Sequence, residues 1–133
     1  MLVAACASPT VALEGFPTEQ IRVDSVEFSF AIADTPQLRQ QGLMEVEQLP
    51  DGLDGVLFVY DSPSSVSFHM LNTPMPLDIW WFDSDDHLVG TTEMEPCSGK
   101  PCVSYRSPGP VIWVLETPLG EYEFEFGAQL STG

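Results

Sequence analysis

Val26-Glu27-Phe28-Ser29-Phe30-Ala31-Ile32 places an apolar side chain at every second position, with small or charged ones between. A period of two is the mark of a strand with one face buried. Immediately downstream, Asp34-Thr35-Pro36 reads as a helix start, with Asp34 or Thr35 as the cap and proline in the first turn. Residues 36–41 then form a short helix, Gly42 permits its end, and Leu43 and Met44 return to the core. Upstream, residues 7–20 carry Ser, Pro, Thr and Glu without periodicity, so residues 1–20 read as a signal remnant and tether and residues 21–133 as one β-rich domain.

The rest of the chain continues in short strands. Residues 56–60 are a continuous apolar run, which suits a strand covered on both faces. Residues 66–70 and 79–82 follow as strands, separated by a segment whose two prolines bar it from a central position. Asp83-Ser84-Asp85-Asp86 turns the chain and residues 87–94 return. Residues 111–117 and 122–126 are expected to pair last, with Tyr122, Phe124 and Phe126 toward the core and Glu121, Glu123 and Glu125 in water. The sum is a mostly β, compact single-domain barrel or sandwich of about seven short strands with one short helix.

Twenty acidic residues oppose four basic ones, Arg22, Arg39, Lys100 and Arg106, for a formal charge of −16. Nucleic-acid backbones and anionic membrane surfaces repel such a chain, because binding them requires Lys and Arg to displace counterions. A cationic or neutral partner, or a divalent cation, is compatible with this charge; a solvated acidic surface that maintains solubility, in a salty medium for example, is the favoured reading. No run reaches the ~18 consecutive apolar residues that a membrane-spanning helix needs.

Cys97-Ser98-Gly99-Lys100-Pro101-Cys102 reads as a small disulfide loop turned by Gly99 and Pro101. A two-thiolate metal site, with only His69 and His87 as further soft ligands, and a pair of free thiols are the alternatives. The disulfide is favoured and implies an oxidising compartment. It leaves Cys6 over. Val3-Ala4-Ala5-Cys6 resembles a bacterial lipobox, although only five residues precede the cysteine and none is basic. The expectation is an extracytoplasmic protein anchored through lipidated Cys6 if the signal is completed upstream.

The densest stretch for chemistry runs from Phe68 to Asp83. Asn72 and Thr73 precede Pro74 and Pro76, and Asp78 opens a strand beside Trp80 and Trp81. A carboxylate there must be hydrogen-bonded or reached by solvent, since burying it unpaired costs several kcal/mol. These polar groups either cap a tight loop or ring a pocket mouth. Met44, Met70, Met75 and Met94 with His69 and His87 offer soft ligands of the kind copper takes, but core packing is the commoner fate of methionine. Asp83, Asp85 and Asp86 lack the glycine and distal glutamate of a calcium loop. Asp78 and Glu116 could serve as a glycosidase pair if about 5–10 Å apart.

In order along the chain, Arg39-Gln40-Gln41-Gly42-Leu43-Met44, Gly55-Val56-Leu57-Phe58, Phe68-His69-Met70-Leu71-Asn72-Thr73, Pro76-Leu77-Asp78 and Val114-Leu115-Glu116 with Gly120 form a series. So do Pro96-Cys97, Cys102 and Tyr105. The series resembles domain of unknown function 192, over about residues 23–130. The resemblance implies a compact β-rich fold, frequent export, and no established reaction. His69 stands where that family has an aromatic residue. Leu71 stands where it has a basic one, which weakens an anionic site if that residue serves one.

The sequence thus predicts a non-enzymatic, membrane-tethered binding or accessory domain, without cofactor, metal or catalytic residues. Its candidate ligand-binding residues are Arg39, Asn72, Thr73, Asp78, Trp80 and Glu116, with Arg39 paired to Asp78 or Glu116 or to a ligand carboxylate. The expected partner is a small molecule or glycan, with no nucleic acid and membrane contact through the lipid anchor only, and the chain is expected to be a monomer. The alternatives are a cell-envelope carbohydrate hydrolase using Asp78 and Glu116, and a structural interaction module.

Overall fold

A computed structural model describes residues 12–132. Cys6, and with it the expected lipid anchor, lies outside the described residues. The elements are β1 (Thr18–Val23), β2 (Val26–Ala33), α1 (Pro36–Gln41), β3 (Gly55–Ser64), β4 (Ser67–Phe68), β5 (Leu77–Phe82), β6 (Leu88–Met94), β7 (Tyr105–Arg106), β8 (Val111–Pro118) and β9 (Leu130–Thr132). Seven of the strands form one sheet, curled into a half-barrel, in the order β6-β5-β8-β3-β2-β1-β9. β4 and β7 form a separate two-stranded ribbon. Within the large sheet only β2 and β3 run parallel. A parallel pair needs a crossover, and α1 rides on it.

The strand and the helix expected around Val26 and Pro36 form where the residue pattern places them. Thr35 caps α1, its hydroxyl accepting from the Leu38 N–H at 3.2 Å. Gly42 closes the helix at φ 46°, its own N–H donating to the Leu38 carbonyl. A Cβ at Gly42 would press on the Phe58 ring, so the helix ends directly against β3.

Both faces of the central strands are buried. Ala31, Val56, Phe58, Ile79, Trp81 and Val114 belong to one core cluster; Phe30, Ile32, Leu57, Trp80, Phe82 and Leu115 belong to the other. That is why residues 56–60 show no alternation. The first face is closed by Leu43, Met70, Met75 and the half-buried Leu38 and Phe68, whose ring meets Phe58 and Trp81 edge-on at 4.9 and 5.7 Å. The second is closed by Ile21, Val23, Ala128, Leu130 and the half-buried Phe124.

Three features differ from the sequence-based picture. Order begins before Ile21: Leu13 and Phe16 are buried in the first core cluster and β1 opens at Thr18. Residues 66–70 contribute only the two-residue β4, paired with β7 rather than with the large sheet. The expected final pairing of residues 111–117 with 122–126 does not form. β8 already has β5 on one edge and β3 on the other, so no edge is open for a hairpin partner. Residues 122–126 instead lie across the second core face. The Tyr122 hydroxyl donates to Asp54 at 2.6 Å, and Phe124 meets Trp80 at 4.7 Å. The chain then turns, with the Ala128 N–H on the Glu125 carbonyl, which leaves Phe126 exposed rather than in the core.

Candidate functional site

Glu116 lies in the middle of β8, opposite Val56 on one neighbouring strand and Ile79 on the other. Its side chain therefore points to the same face as these two fully buried aliphatic residues. The residue is 4% exposed, no buried side-chain oxygen among the described residues is left unsatisfied, and the Glu116 side chain reaches a cavity. Burial pushes its pKa up to about 8, because the charged form loses its hydration. The backbone there is just as crowded: a Cβ at Gly55 would collide with the Glu116 carbonyl oxygen.

The carboxyl lines a cavity of about 160 Å³. Arg39 from α1, Tyr60 from β3, Phe68 and His69 at β4, and Thr73 stand around the same space. Arg39 is held in place from two sides. Its Nη1 donates to the Val59 carbonyl at 2.8 Å, and its guanidinium lies 5.0 Å from the centre of the Tyr60 ring. The Val59 carbonyl sits where the β3–β8 ladder breaks register. Burial raises the Tyr60 phenol pKa; Arg39 pulls it down and Glu116 adds a push upward. Thr73 is buried and turns its hydroxyl toward the Leu71 carbonyl at 3.4 Å.

The six candidates do not form one site. Arg39, Thr73 and Glu116 share the cavity just described. Asn72, with Thr73 again, lines a second one beside Pro96 and Cys97. Asn72 adopts φ 58°, accepts from the Glu45 N–H through its carbonyl, and donates its N–H to the Cys97 carbonyl at 2.9 Å. Asparagine tolerates that left-handed backbone better than most residues. Asp78 and Trp80 line a third cavity on the other side of the sheet.

Asp78 pairs with Thr117 in the ladder, whereas Glu116 pairs with Ile79. Adjacent positions on a strand face opposite ways, so the two carboxyls lie on opposite faces of the sheet. They do not share a cleft, and the glycosidase pairing of Asp78 with Glu116 is overturned. Arg39 does not pair with Asp78 for the same reason. Asp78 instead accepts from the Gly120 N–H at 2.9 Å and holds the turn after β8. Trp80 donates its indole N–H to Thr117 at 2.9 Å and is no wall of the Glu116 cavity.

Tyr60 is not among the residues that the sequence pattern picks out, and His69 enters that pattern only as a soft metal ligand. Tyr60 ends the continuous apolar run with a polar tip, which was a usable signal; only the break in register after Val59 shows where that tip goes. Cys97 and Cys102 form the expected disulfide, with Cα atoms 5.9 Å apart. It suits an oxidising environment outside the cytoplasm. Among the described residues no helix is long and apolar enough to cross a membrane.

Residues 19–131, nearly the whole chain, match the family DUF192, described as an uncharacterized ACR. The chain belongs to the DUF192 family. Two solved structures share the fold. One is a proposed transcription regulator from Sinorhizobium meliloti 1021, 26% identical, with a TM-score of 0.78 over 88% of this chain and 95% of that one. The other is a protein of unknown function from Novosphingobium aromaticivorans DSM 12444, 25% identical, with a TM-score of 0.77 over 94% and 93% of the two chains. Among curated proteins none matches the chain. Several elements that carry the resemblance to DUF192, residues 39–44, Phe58, Phe68 to Met70, Thr73 and Glu116, come from distant parts of the sequence and line the one small cavity.

Proposed function

We propose that this DUF192 chain is a non-enzymatic, extracytoplasmic binding domain, tethered to a membrane through lipidated Cys6, that takes the end of a small molecule or glycan into the Glu116 cavity. The observation that carries this reading is the Glu116 carboxyl itself. It stands in the middle of a packed strand, and the space it lines is this cavity, so the hydrogen-bond partners a carboxyl needs come from that space. With its pKa near 8 the carboxyl is mostly protonated at neutral pH, so it offers a ligand an O–H donor as well as an acceptor. Arg39, fixed by the Val59 carbonyl and the Tyr60 ring, offers its remaining guanidinium N–H groups from the rim.

A volume of about 160 Å³ holds roughly one six-membered ring. The cavity therefore takes an end group, not a whole ligand of ordinary size. Acid–base hydrolysis with two carboxyls has no support here, because Asp78 is on the far face. The role named for the Sinorhizobium protein is not carried over: twenty acids against four bases disfavour contact with nucleic acid.

The test is a thermal-shift panel of sugars and small metabolites on the wild-type domain and on Glu116→Ala. A ligand that raises the melting temperature of the wild type but not of the variant supports the site. A ligand that shifts both equally would place binding elsewhere. The tether is tested separately: Cys6→Ser, expressed with a complete signal, should move the protein from the membrane fraction to the soluble one.

A further inference from the structure

The basic residues of this chain are few and unevenly placed. Of the four, Arg39 lines the Glu116 cavity together with Ser67, Phe68 and His69. Lys100 lines a further cavity, of about 430 Å³, that is bounded by the same Ser67, Phe68 and His69. Arg106 lies in β7 directly opposite Ser67 in β4, so its side chain leaves the ribbon on the same face as the Ser67 hydroxyl. Two of the four cations thus line the cavities that flank β4, and a third, Arg106, lines neither but stands across the ribbon from Ser67, which lines both.

The acids show the opposite distribution. Of twenty in the chain, only Glu116 lines either cavity, and it is the one whose burial favours the neutral form. The other surface hollows are rich in them. Asp78, Glu93, Glu123 and Glu125 line one, and Glu45 and Glu47 another. The two linings therefore carry no exposed acid, and the acid beside them is Glu95, whose N–H donates to the Tyr105 hydroxyl at 3.3 Å behind Phe68.

We propose that the two cavities on either side of Phe68 and His69 form one continuous binding groove for an acidic oligosaccharide, whose terminal residue enters beside Arg39 and Glu116 and whose following carboxylate meets Lys100 and Arg106. The inference rests on the pocket proposed above and adds the charge class and direction of its ligand. The net charge of −16 does not forbid this, because charges beyond about 8–10 Å are screened at physiological ionic strength. What a bound carboxylate feels is the local set, in which Arg39, Lys100 and Arg106 outnumber Glu95. Gln40 and Gln41 line the inner cavity and Ser104 the outer one, with Phe68 between them and Val103 exposed beyond. Amides and hydroxyls interleaved with apolar faces suit hydroxylated rings, which present both kinds of surface. Leu71 lines the same outer cavity as Lys100 and brings no charge, so Lys100 supplies what that wall would otherwise lack.

The experiment is calorimetric titration of the disulfide-intact domain with trigalacturonate and with the neutral galactose trimer of the same linkage. The wild type should bind the acidic trimer at least tenfold more tightly. Lys100→Gln combined with Arg106→Gln, both exposed and away from the core, should leave the melting temperature unchanged. It should weaken the acidic trimer by about fivefold per charge and leave the neutral trimer unaffected. Equal affinity for the two trimers, no binding of the acidic one, or an acidic-trimer affinity untouched by the double variant would each overturn the proposal. A neutral sugar that binds in a Glu116-dependent manner while the acidic trimer does not would overturn the charge inference and leave the pocket standing. Hexaglutamate binding as tightly as trigalacturonate would overturn the saccharide assignment.

Discussion

Replacing Glu116 by Gln keeps the shape of the side chain and removes its titration. In the unfolded chain the carboxyl ionises at about 4.5, and in the fold at about 8. Between these values the folded state holds a proton that the unfolded state has lost, so the wild type becomes less stable as pH rises. Below about 4.5 both states are protonated and this contribution is fully favourable; above about 8 both are ionised and it is gone. Each pH unit inside the window is worth about 1.4 kcal/mol. From pH 5 to pH 7.5 the wild type should therefore lose about 3 kcal/mol relative to Glu116→Gln, whose amide does not titrate. Guanidinium unfolding of both proteins at half-unit pH steps measures this difference directly, and it cancels the contributions of the other acids. Parallel stability curves across pH 5–8.5 would refute the reasoning. They would mean that the carboxyl ionises at its ordinary pH inside the fold, and that the cavity is wet enough to solvate it.

Other changes test the frame around the cavity. Gly55→Ala should cost about 3 kcal/mol by denaturant unfolding, because the new methyl collides with the Glu116 carbonyl on the paired strand. Thr117→Val should cost about 1–3 kcal/mol, since it strands the buried Trp80 indole N–H; the near-ultraviolet tryptophan signal should change with it. Asp78→Ala should cost about 1–2 kcal/mol by removing the acceptor of the Gly120 N–H, yet leave every ligand response of the wild type intact. A response lost in that variant alone would return Asp78 to the site. Removing the disulfide with Cys97→Ser and Cys102→Ser should lower stability by about 2 kcal/mol, the value for closing so short a loop.

Much of the architecture could be read from residue periods. The alternation in β2, the Thr35 cap and Gly42 stop of α1, and the unbroken apolar run of β3 each reflect forces local to a few residues. The segment at 122–126 could not be read in the same way. Its alternation is real, and Tyr122 and Phe124 do pack on the core face, but whether it joins a ladder depends on the edges of β8 being free. Those edges are taken by strands distant in sequence. The site was legible to the same degree. Arg39, Thr73 and Glu116 were named from residue type and motif, and they do meet. Asp78 and Trp80 were named on the same grounds and face away. Ladder register decides that, and it depends on which residue of β5 stands opposite Glu116. A slip of one position would have reversed the outcome.

The six-residue helix α1 that carries Arg39 contains no buried residue. It is attached chiefly by the half-buried Leu38, the Gly42 contact with Phe58 and the Arg39 bond to β3. Glu116, in contrast, sits in a strand with a hydrogen-bonded neighbour on each side. The rim and the floor of the cavity thus belong to regions of very different local stability. Amide exchange should be fast in α1 and limited by global unfolding at Glu116. The rim can then exchange its amides while the sheet that sets the carboxyl pKa stays closed.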